Sequence, residues 1–418
     1  MKLICIDLES PLPSIPPATL GEQWVLVRLH RCPIGMLKLG RTPGLTASEL
    51  GRRIADECAW PIAHHLAVDG LGGATNVDEF MRLSRACPRG AAPRATVTVA
   101  VCTRNRAAGL ADCLDALMAL DYPAPLVERL VIDNAPSDES TANVVARYPG
   151  VRYIREPRPG LDWARNRAIR EARHDIVAFT DDDVIVDDQW VRALARTFEE
   201  ERDALCVTGL VVPDALDSRA QVLFEQYGGF GRGFRRAVYR VDVEAGERTA
   251  PHHGGTGKFG TGANMAFRRE TFSRIGLFDP ALDVGTPANG GGDLEMFFRV
   301  LKEGGTLVYE PCAVVRHRHG HDYDALKTKI RNNGIGFYAY LVRAAQAYPD
   351  ERGAILRLGV WWMWWWNVRR LLRALVRPAA FPRDLILAEL RGSIAGLRRY
   401  AAARRHAARI LAAYGAQS

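Results

Sequence analysis

Short apolar runs alternate with helical patterns between residues 95 and 180 of the chain. We predict strands at 96–102, 126–132, 151–154 and 176–180, and helices at 108–120, 139–147 and 162–172. Strands that alternate with helices at this spacing indicate an α/β fold whose sheet is mostly parallel and carries helices on both faces. In such a sheet the carboxyl ends of the strands share one edge, and ligands bind there.

Residues 1–94 are predicted to form a small, separate α+β unit. We predict strands at 23–30 and 34–39, a helix at 46–66 and a linker rich in Gly, Ala and Pro at 70–93. Thr46 and Glu49 match a capping box, which marks the start of the helix. His64 and His65 are neighbours on this helix and point about 100° apart, so they make a poor metal pair. Because we find no catalytic constellation in this unit, we expect a structural or docking role.

Residues 322–418 are predicted to form a helical tail. Long helices are expected at 322–348 and 382–413, on either side of a tryptophan-rich run at 361–366 that arginines follow. The 11 residues between Arg357 and Arg369 are too few to cross a bilayer, which needs about 20. Tryptophan favours the membrane interface and arginine favours anionic headgroups. We therefore predict a peripheral amphipathic anchor, and the alternative is a buried helix core or a dimer contact.

The charge of the chain is concentrated in this tail. The 418 residues are 48% hydrophobic, which is enough for a sizeable core and several domains, and carry a net charge of +8. From residue 341 onward there are fourteen arginines and no lysine against four acidic residues. Such a tail suits an anionic membrane surface or a nucleic acid. No nucleic-acid-binding signature accompanies it, so we expect no nucleic-acid partner.

The cysteines and the first residues predict a cytoplasmic location. The eight cysteines are scattered and none forms a C-x-x-C pair. Asp7 and Glu9 interrupt the stretch where a signal peptide would need an apolar run. We therefore expect reduced thiols and a chain that binds peripherally at the cytoplasmic face of a membrane.

Three consecutive carboxylates, Asp181, Asp182 and Asp183, follow the predicted strand at 176–180. Adjacent negative charges are most easily tolerated around a cation, and Mg²⁺ or Mn²⁺ takes oxygen ligands that it often shares with phosphates. The alternative is an acidic turn or a helix N-terminus. Thr103 and Asp133 end two other predicted strands, and this convergence favours a nucleotide site. The chain has neither G-x-G-x-x-G after the first strand nor a Walker A sequence, so metal and basic side chains must hold the phosphates.

Six segments in this order resemble glycosyltransferase family 2. They are residues 97–106, 131–138, 164–166, 179–183, 262–268 and 292–299, and the resemblance covers roughly 95–321. It implies a Rossmann-like GT-A fold for this part of the chain, a nucleoside-diphosphate sugar as donor and inversion at the anomeric carbon. It also implies a divalent cation, Mn²⁺ or Mg²⁺.

The resemblance implies roles for the residues at the strand ends. Asp133 would hydrogen-bond the base of the donor. Asp181 and Asp183 would form the D-x-D pair that holds the ribose and a metal ion bridging the diphosphate. The other expected donor contacts are Thr103, Arg104, Asn105, Arg165, Asn166 and Asp182. For Arg165 the alternative is a salt bridge on a helix surface.

Asp293 matches the catalytic base of the family. An inverting transfer is a single displacement, so one carboxylate must take the proton of the acceptor hydroxyl. The alternative is that Asp293 caps the helix that it opens. The family usually has Glu before this Asp, and here the residue is Gly292 within a glycine-rich run, which suggests a mobile acceptor loop.

His317, His319 and His321 follow a predicted strand at 306–315. Alternate residues on an extended chain share a face, so these rings can point together. The resemblance places His317 or His319 near the metal, and the alternative is a loop that contacts phosphate. A structural zinc site is disfavoured because no cysteine cluster accompanies the histidines.

Glycine and aromatic residues are combined at 226–236 and 252–262, where we expect acceptor-binding loops or an unstructured surface. The function predicted is an inverting, metal-dependent glycosyltransferase that acts on a glycan or a lipid-linked acceptor, as in polysaccharide biosynthesis. A nucleotidyltransferase is one alternative, and the first loop, residues 103–106, argues against it. The other alternative is an inactive, membrane-docked scaffold.

Overall fold

The structure is a computed structural model that describes residues 3–17, 22–40, 43–71, 93–242, 256–377 and 381–415 of the chain. The predicted linker at 70–93 and the start of the predicted loop at 252–262 lie outside these residues for the most part.

A three-stranded sheet and one long helix form the N-terminal unit. Strands β1, β2 and β3 span Ile4–Asp7, Gln23–Leu29 and Cys32–Gly40, and helix α1 spans Ala47–Val68. The helix starts as predicted, since Thr46 and Glu49 make both hydrogen bonds of the capping box. Leu50, Ile54, Cys58 and Ile62, each four residues after the last, place the apolar side of α1 on the sheet.

A nine-stranded sheet forms the centre of the described part of the chain. Its strands are β4 Val97–Thr103, β5 Val127–Asn134, β6 Val151–Glu156, β7 Ile176–Asp181, β8 Val184–Val186, β9 Ala204–Pro213, β10 Ala237–Tyr239, β11 Asn264–Arg268 and β12 Thr306–His317. The order is β10-β12-β9-β11-β7-β4-β5-β6, with β8 beside β12. β7, β4, β5 and β6 run parallel, and β11 enters antiparallel between β7 and β9. The predicted α/β fold with a mostly parallel sheet is confirmed.

Helices cover both faces of this sheet. They are α2 Ala107–Met118, α3 Ser140–Val145, α4 Leu161–Glu171, α5 Trp190–Glu200, α6 Arg219–Tyr227, α7 Thr271–Ile275 and α8 Gly292–Lys302. Along β4, Val99 and Val101 pack with α2 and α5 in one core. Ala100 and Cys102 pack with α4 and α8 in the other. A central strand buried on both faces explains why the sequence there is apolar without alternation.

The tail is helical, as predicted. Helices α9 Tyr323–Ala347, α10 Arg352–Trp362, α11 Arg369–Val376 and α12 Arg383–Tyr414 follow the sheet, with a π-helical turn, Met363–Val368, between α10 and α11. Glycines let α9 and α12 approach closely: a Cβ on Gly334 or Gly396 would lie 2.5 Å from a carbonyl oxygen of the facing helix. Among the helices described, none combines the length and the apolar character that crossing a membrane requires.

The N-terminal unit is docked on the edge of the central sheet. Leu3, Trp24 and Leu26 pack in one apolar cluster with Leu210 and Val314. The docking role expected for this unit therefore has a physical basis in these contacts, which bury apolar surface from both sides.

A disulfide joins the same two parts of the chain. Cys32, at the start of β3, is bonded to Cys312 in β12. The expectation that the thiols are reduced is wrong for this pair, because the fold places residues 280 positions apart in sequence side by side. Disulfides are rare in reducing compartments, so the pair also fits poorly with the expected cytoplasmic location. Cys5, Cys58, Cys102, Cys113 and Cys206 are free thiols.

Candidate active site

The topology brings the predicted strand ends together. The ends of β4 and β7 are neighbours, with Cys102 opposite Asp181, and Thr103 lies opposite Asp133 at the end of β5. The convergence expected from a parallel sheet therefore holds for these positions. All three strands end at the same edge, where the carboxylate triplet begins.

The three carboxylates of the triplet have different surroundings. Asp182 is buried, and its two oxygens accept hydrogen bonds from Thr103 Oγ1 at 2.7 Å and from Arg106 Nη1 at 2.7 Å. Asp182 is therefore occupied in holding the first loop against the triplet. Asp183 contacts Arg106 through one oxygen only, at 3.0 Å. Burial and the neighbouring charge of Asp183 raise the pKa of Asp181 to about 6.

Asp181, Asp183 and His317 form a group that can hold a metal ion. One ligand atom from each lies within 4.8 Å of the other two. His317 reaches the triplet because β12 pairs antiparallel with β8, which places His317 opposite Val184. His317 Nε2 lies 3.5 Å from Asp183 Oδ1, an oxygen that is buried and accepts no hydrogen bond from the described residues.

The donor set fits a divalent cation. Burial lowers the pKa of His317 to about 3, so the ring is neutral near pH 7 and can offer a nitrogen lone pair. Two carboxylates and one imidazole suit Mn²⁺, which accepts a nitrogen ligand beside oxygens. His319, which was also predicted near the metal, is not part of this group. Its ring lies 4.9 Å from that of His317, but its Nε2 contacts Glu225 at 2.8 Å.

A cavity of about 480 Å³ opens on this group. Thr103, Arg104 and Arg106 from the first loop line it, and Lys329 from α9 lines the opposite side. Lys329 was not predicted, and its ammonium lies 4.9 Å from the centre of the Phe230 ring. Burial lowers the pKa of Lys329. The cavity combines metal ligands with cationic side chains, which suits a diphosphate.

Two predicted donor contacts are buried beneath the cavity. Arg165 Nη1 contacts Asp162 Oδ1 at 3.0 Å, so the salt bridge considered for Arg165 exists, but in the interior rather than on a helix surface. Asn166 uses its amide nitrogen and oxygen on the backbone of Phe278, at 2.9 Å each. Both side chains therefore support the site from within the protein.

Buried acids that the sequence did not single out surround Arg165. Burial, with the nearby Asp283, raises the pKa of Asp162 well above its ordinary value. Burial raises the pKa of Asp283 to about 7. The Asp162 backbone N–H donates to Asp283 Oδ2 at 3.0 Å. A single guanidinium therefore faces several carboxylates, which favours protonation of part of the set near neutral pH.

Two further predicted contacts lie farther from the triplet. Asp133 is fully buried, and the Tyr153 hydroxyl donates to its Oδ2 at 2.6 Å. Burial raises the pKa of Asp133. Asn105 is exposed, has a φ of 54° and accepts a hydrogen bond from the Ser137 backbone at 3.0 Å. Asn105 thereby shapes the first loop through a contact with the loop after β5.

Asp293 lies in the first turn of α8, after the N-cap residue Gly291. The alternative that Asp293 is the N-cap is therefore wrong. Its Oδ2 accepts a hydrogen bond from Gly262 N at 2.8 Å, and its Oδ1 accepts one from Leu294 N at 2.9 Å. Two backbone donors thus fix the orientation of the carboxylate, and the residue is only half-buried.

The glycines before Asp293 have steric causes. Gly291 has a φ of 105°, and a Cβ there would lie 2.7 Å from the carbonyl oxygen of Gly336 in α9. A Cβ on Gly292 would collide with the carboxylate of Asp162. The loop suggested to be mobile is therefore packed tightly against α9. Although position 292 is a glycine rather than an acid, the carboxylate of Asp162 lies where a side chain of residue 292 would begin.

Asp293 also lines a second cavity, of about 600 Å³, between the sheet and the tail. Gly228, Arg232 and Gly260 from the two predicted loops line it as well. From the tail come Phe337, Trp361, Trp362, Trp366 and Glu389. Phe230 lines both cavities, so they adjoin at this ring.

The tryptophans divide between this cavity and solvent. Trp362 stacks with Trp366 at 5.5 Å, and Trp366 Nε1 donates to Glu389 at 2.8 Å. Trp361, Trp364 and Trp365 are 51%, 56% and 42% exposed. Glu389 is buried, which raises its pKa to about 7. The packing expected in the alternative interpretation therefore holds for Trp362 and Trp366, and the membrane anchor stays a prediction for the exposed tryptophans.

Comparison with known proteins identifies the central part of the chain. Residues 98–276 match the model of glycosyl transferase family 2. The chain is 30% identical over 249 residues to human polypeptide N-acetylgalactosaminyltransferase 9, a match that covers 55% of this chain and 38% of that protein. It is 25% identical over 193 residues to a glucosyl-dolichyl phosphate glucuronosyltransferase of Haloferax volcanii, covering 44% and 56%. The chain therefore spans only part of these relatives.

Two solved structures are similar at low identity. The mannosyltransferase PcManGT of Pyrobaculum calidifontis, in complex with GDP-Man and Mn²⁺, is 18% identical with a TM-score of 0.47, covering 73% of this chain and 87% of that one. GalNAc-T7 with UDP, GalNAc and Mn²⁺ is also 18% identical, with a TM-score of 0.42 and a coverage of 60% and 50%.

Proposed function

Because residues 98–276 match the model of glycosyl transferase family 2, we propose that this chain transfers a sugar from a nucleoside-diphosphate donor to an acceptor hydroxyl, with inversion. The observation that carries the proposal is the group of Asp181, Asp183 and His317 at the wall of a cationic cavity. Asp181 and Asp183 lie within the matched residues, and His317, which lies outside them, adds a third ligand to this pair.

The donor diphosphate would lie in the 480 Å³ cavity. A divalent cation held by Asp181, Asp183 and His317 would neutralise the charge that develops on the departing nucleoside diphosphate. Arg106 is already near this point, 3.0 Å from Asp183, and can exchange the carboxylate for a phosphate oxygen. Lys329 adds a second positive charge from α9.

The nucleoside would extend along the first loop. Thr103 and Arg104 line the cavity directly. Asp133 is buried behind this surface and bonded to the hydroxyl of Tyr153, so we propose that it contributes to base binding through that hydroxyl. Asn105 would act through the shape of the loop.

Asp293 is the proposed base. Its carboxylate is fixed by Gly262 and Leu294 and faces the second cavity, where an acceptor hydroxyl can approach it. In a single displacement the hydroxyl oxygen attacks the anomeric carbon as Asp293 takes its proton, and the bond to the diphosphate oxygen breaks. Donor and acceptor then meet near Phe230, where the two cavities adjoin.

The second cavity favours an acceptor with both sugar and apolar character. Its lining joins aromatic rings of the tail to polar groups such as Asn332, Asn333 and Glu389. Aromatic faces stack on sugar rings, and they also bind apolar chains. We therefore propose a glycan or a lipid-linked saccharide as the acceptor.

Outside this cavity, the tail presents an apolar stripe with arginines. Trp364 and Trp365 are exposed, and the Arg369 guanidinium lies 3.5 Å from the centre of the Trp365 ring. This combination suits the interface of an anionic membrane. We propose peripheral binding through this stripe, with the cytoplasmic face still a prediction.

Transfer assays with a panel of nucleotide sugars, with and without Mn²⁺, test the proposed activity. We expect Asp183→Ala to weaken donor binding and to abolish transfer. Asp293→Asn should keep donor binding but lose at least about 100-fold in kcat, because general base catalysis contributes about that much or more. Asp324→Asn, an exposed carboxylate on α9, is the control. Near-normal turnover by either site variant would refute its assigned role, and failure to bind any nucleotide sugar would refute the activity.

Flotation with anionic liposomes tests the membrane proposal. Trp364→Ser combined with Trp365→Ser should reduce binding at least about 10-fold, because two exposed interfacial anchors are lost. Trp60→Ser removes a tryptophan that is equally exposed on α1 and should leave binding unchanged. Equal binding by the double variant and the wild type would contradict the proposal, without bearing on transfer to a soluble acceptor.

A further inference from the structure

Three side chains with metal-ligand atoms converge in the N-terminal unit, on the opposite side of the docking interface from the active site described above. His30 lies in the tight turn between β2 and β3, with a φ of 51°. His65 lies in the last turn of α1, and Asp69 is the C-cap of the same helix. The packing of α1 on the sheet thus brings the end of the helix to the turn.

The ligand atoms of these residues meet at one point. His30 Nδ1 lies 2.6 Å from Asp69 Oδ2, and His65 Nε2 lies 3.2 Å from each of these two atoms. Ligands of a tetrahedral ion at about 2.0–2.1 Å are about 3.3 Å from one another. Two of the three separations therefore have the spacing of a metal-binding triangle, and the shortest has that of a hydrogen bond.

We propose that His30, His65 and Asp69 bind a divalent transition-metal ion, with Zn²⁺ as the best fit. Two imidazole nitrogens and one carboxylate oxygen form a donor set that zinc sites use, with a water molecule at the fourth position. His65 and Asp69 are partly exposed, which leaves a path for the ion and room for the water.

The position of the site indicates what the ion would do. The turn that carries His30 also carries the attachments of the unit to the central sheet. Arg28 contacts Asp187 at 2.8 Å and Arg31 contacts Asp188 at 3.3 Å. Cys32 forms the disulfide described above. An ion that ties this turn to the end of α1 would therefore stabilise the docked arrangement of the unit.

Calorimetric titration with ZnCl₂ tests the site on the full chain, stripped with a chelator and free of nucleotide. A background with both Asp181→Asn and Asp183→Asn removes the two carboxylates of the active-site group. In this background we expect one equivalent of Zn²⁺ to bind and His65→Ala to weaken its binding more than about 100-fold, since even loss of a residue that only hydrogen-bonds to a ligand costs about 10- to 100-fold. His64→Ala is the matched control: it removes the adjacent histidine, whose ring stacks on Trp60 at 5.0 Å.

Melting curves with and without Zn²⁺ give a second measure of metal binding and show whether each variant folds. Zn²⁺ should raise the melting temperature of the wild type and of His64→Ala, but not that of His65→Ala. If His65→Ala does not fold, Asp69→Asn, which keeps the size of the side chain, takes its place. No Zn²⁺ uptake in the background variant, unchanged uptake after loss of His65 or Asp69, or an equal loss in His64→Ala would each overturn the proposal.

Discussion

The buried carboxyl of Glu389 makes a prediction about stability and pH. Burial raises its pKa to about 7 from an ordinary value of 4.5, although Tyr227 Oη, at 2.7 Å, and Trp366 donate hydrogen bonds to it. The folded protein therefore keeps a proton that the unfolded chain releases between these two values. The stability that this group contributes is complete below about pH 4.5 and is lost as the pH rises to about 7.

The size of the effect follows from the two pKa values. One pH unit between them is worth about 1.4 kcal/mol. The gap between 4.5 and about 7 thus corresponds to about 3 kcal/mol of lost stability at pH 8. Glu389→Gln keeps an oxygen that can accept from Tyr227 but cannot ionise. We expect the variant to be more stable than the wild type by less than about 1 kcal/mol at pH 5 and by up to about 3 kcal/mol at pH 8.

The assay is thermal melting of the wild type and Glu389→Gln between pH 5 and pH 8. A gain of this size raises the melting temperature of a chain of this length by a few degrees. Glu270→Gln, an exposed residue before α7, is the control and should show no trend with pH. A difference between variant and wild type that is the same at every pH would refute the reasoning, because it would not arise from ionisation.

Two further predictions concern the packing of the domains. Gly336→Ala should lower kcat by about 10- to 100-fold, because the new Cβ would lie 3.0 Å from the backbone of the loop before Asp293 and a small displacement of a catalytic group is costly. The control is Gly353→Ala, whose new Cβ would meet an arginine nitrogen only at an ordinary contact distance. Equal kcat values for the two variants would contradict the proposed packing role. In chemical denaturation, Cys32→Ser should lower the free energy of unfolding by about 2–4 kcal/mol relative to the oxidised wild type, and a reducing agent should remove this difference. If neither the substitution nor the reducing agent changes the free energy of unfolding, the disulfide does not constrain the fold.

The pattern of the chain predicted the elements that carry the site, because local periodicity determines them. The strand expected at 176–180 is β7, Ile176–Asp181. Once the sheet is known to be parallel, its topology alone places Thr103, Asp133 and Asp181 along one edge. Predicting the position of these residues therefore required no knowledge of side-chain packing.

The residues that depend on long-range packing could not be predicted in this way. A spacing of two residues on an extended chain puts His317, the last residue of β12, and His319 on one face, and both rings do lie together. The pairing of β12 with β8 decides that His317 reaches Asp183, while Glu225 of α6 takes up His319. Lys329 carries no local signal either, since nothing in α9 indicates which side of that helix closes the cavity.

The conformation of the glycine-rich run before Asp293 could not be predicted from the sequence for a related reason. A run such as 289–292 is expected in mobile loops and in tightly packed ones, because a missing side chain permits both. The partner that decides, Gly336, lies in a different helix more than forty residues later. The close contact between these two glycine positions indicates a fixed support for Asp293.

The tail is therefore part of the proposed active site as well as a candidate membrane anchor. Its inner stripe, with Trp362 and Trp366, forms one wall of the cavity that Asp293 lines, and α9 supports the loop before Asp293. Its outer stripe, with Trp364 and Trp365, contacts neither. Substitutions in the outer stripe should affect only membrane binding, whereas those in the inner stripe should impair transfer even to a soluble acceptor. Trp362 and Trp366 are four residues apart and so share one side of the helical segment, which leaves Trp364 and Trp365 for another side and would allow one short segment to serve both roles.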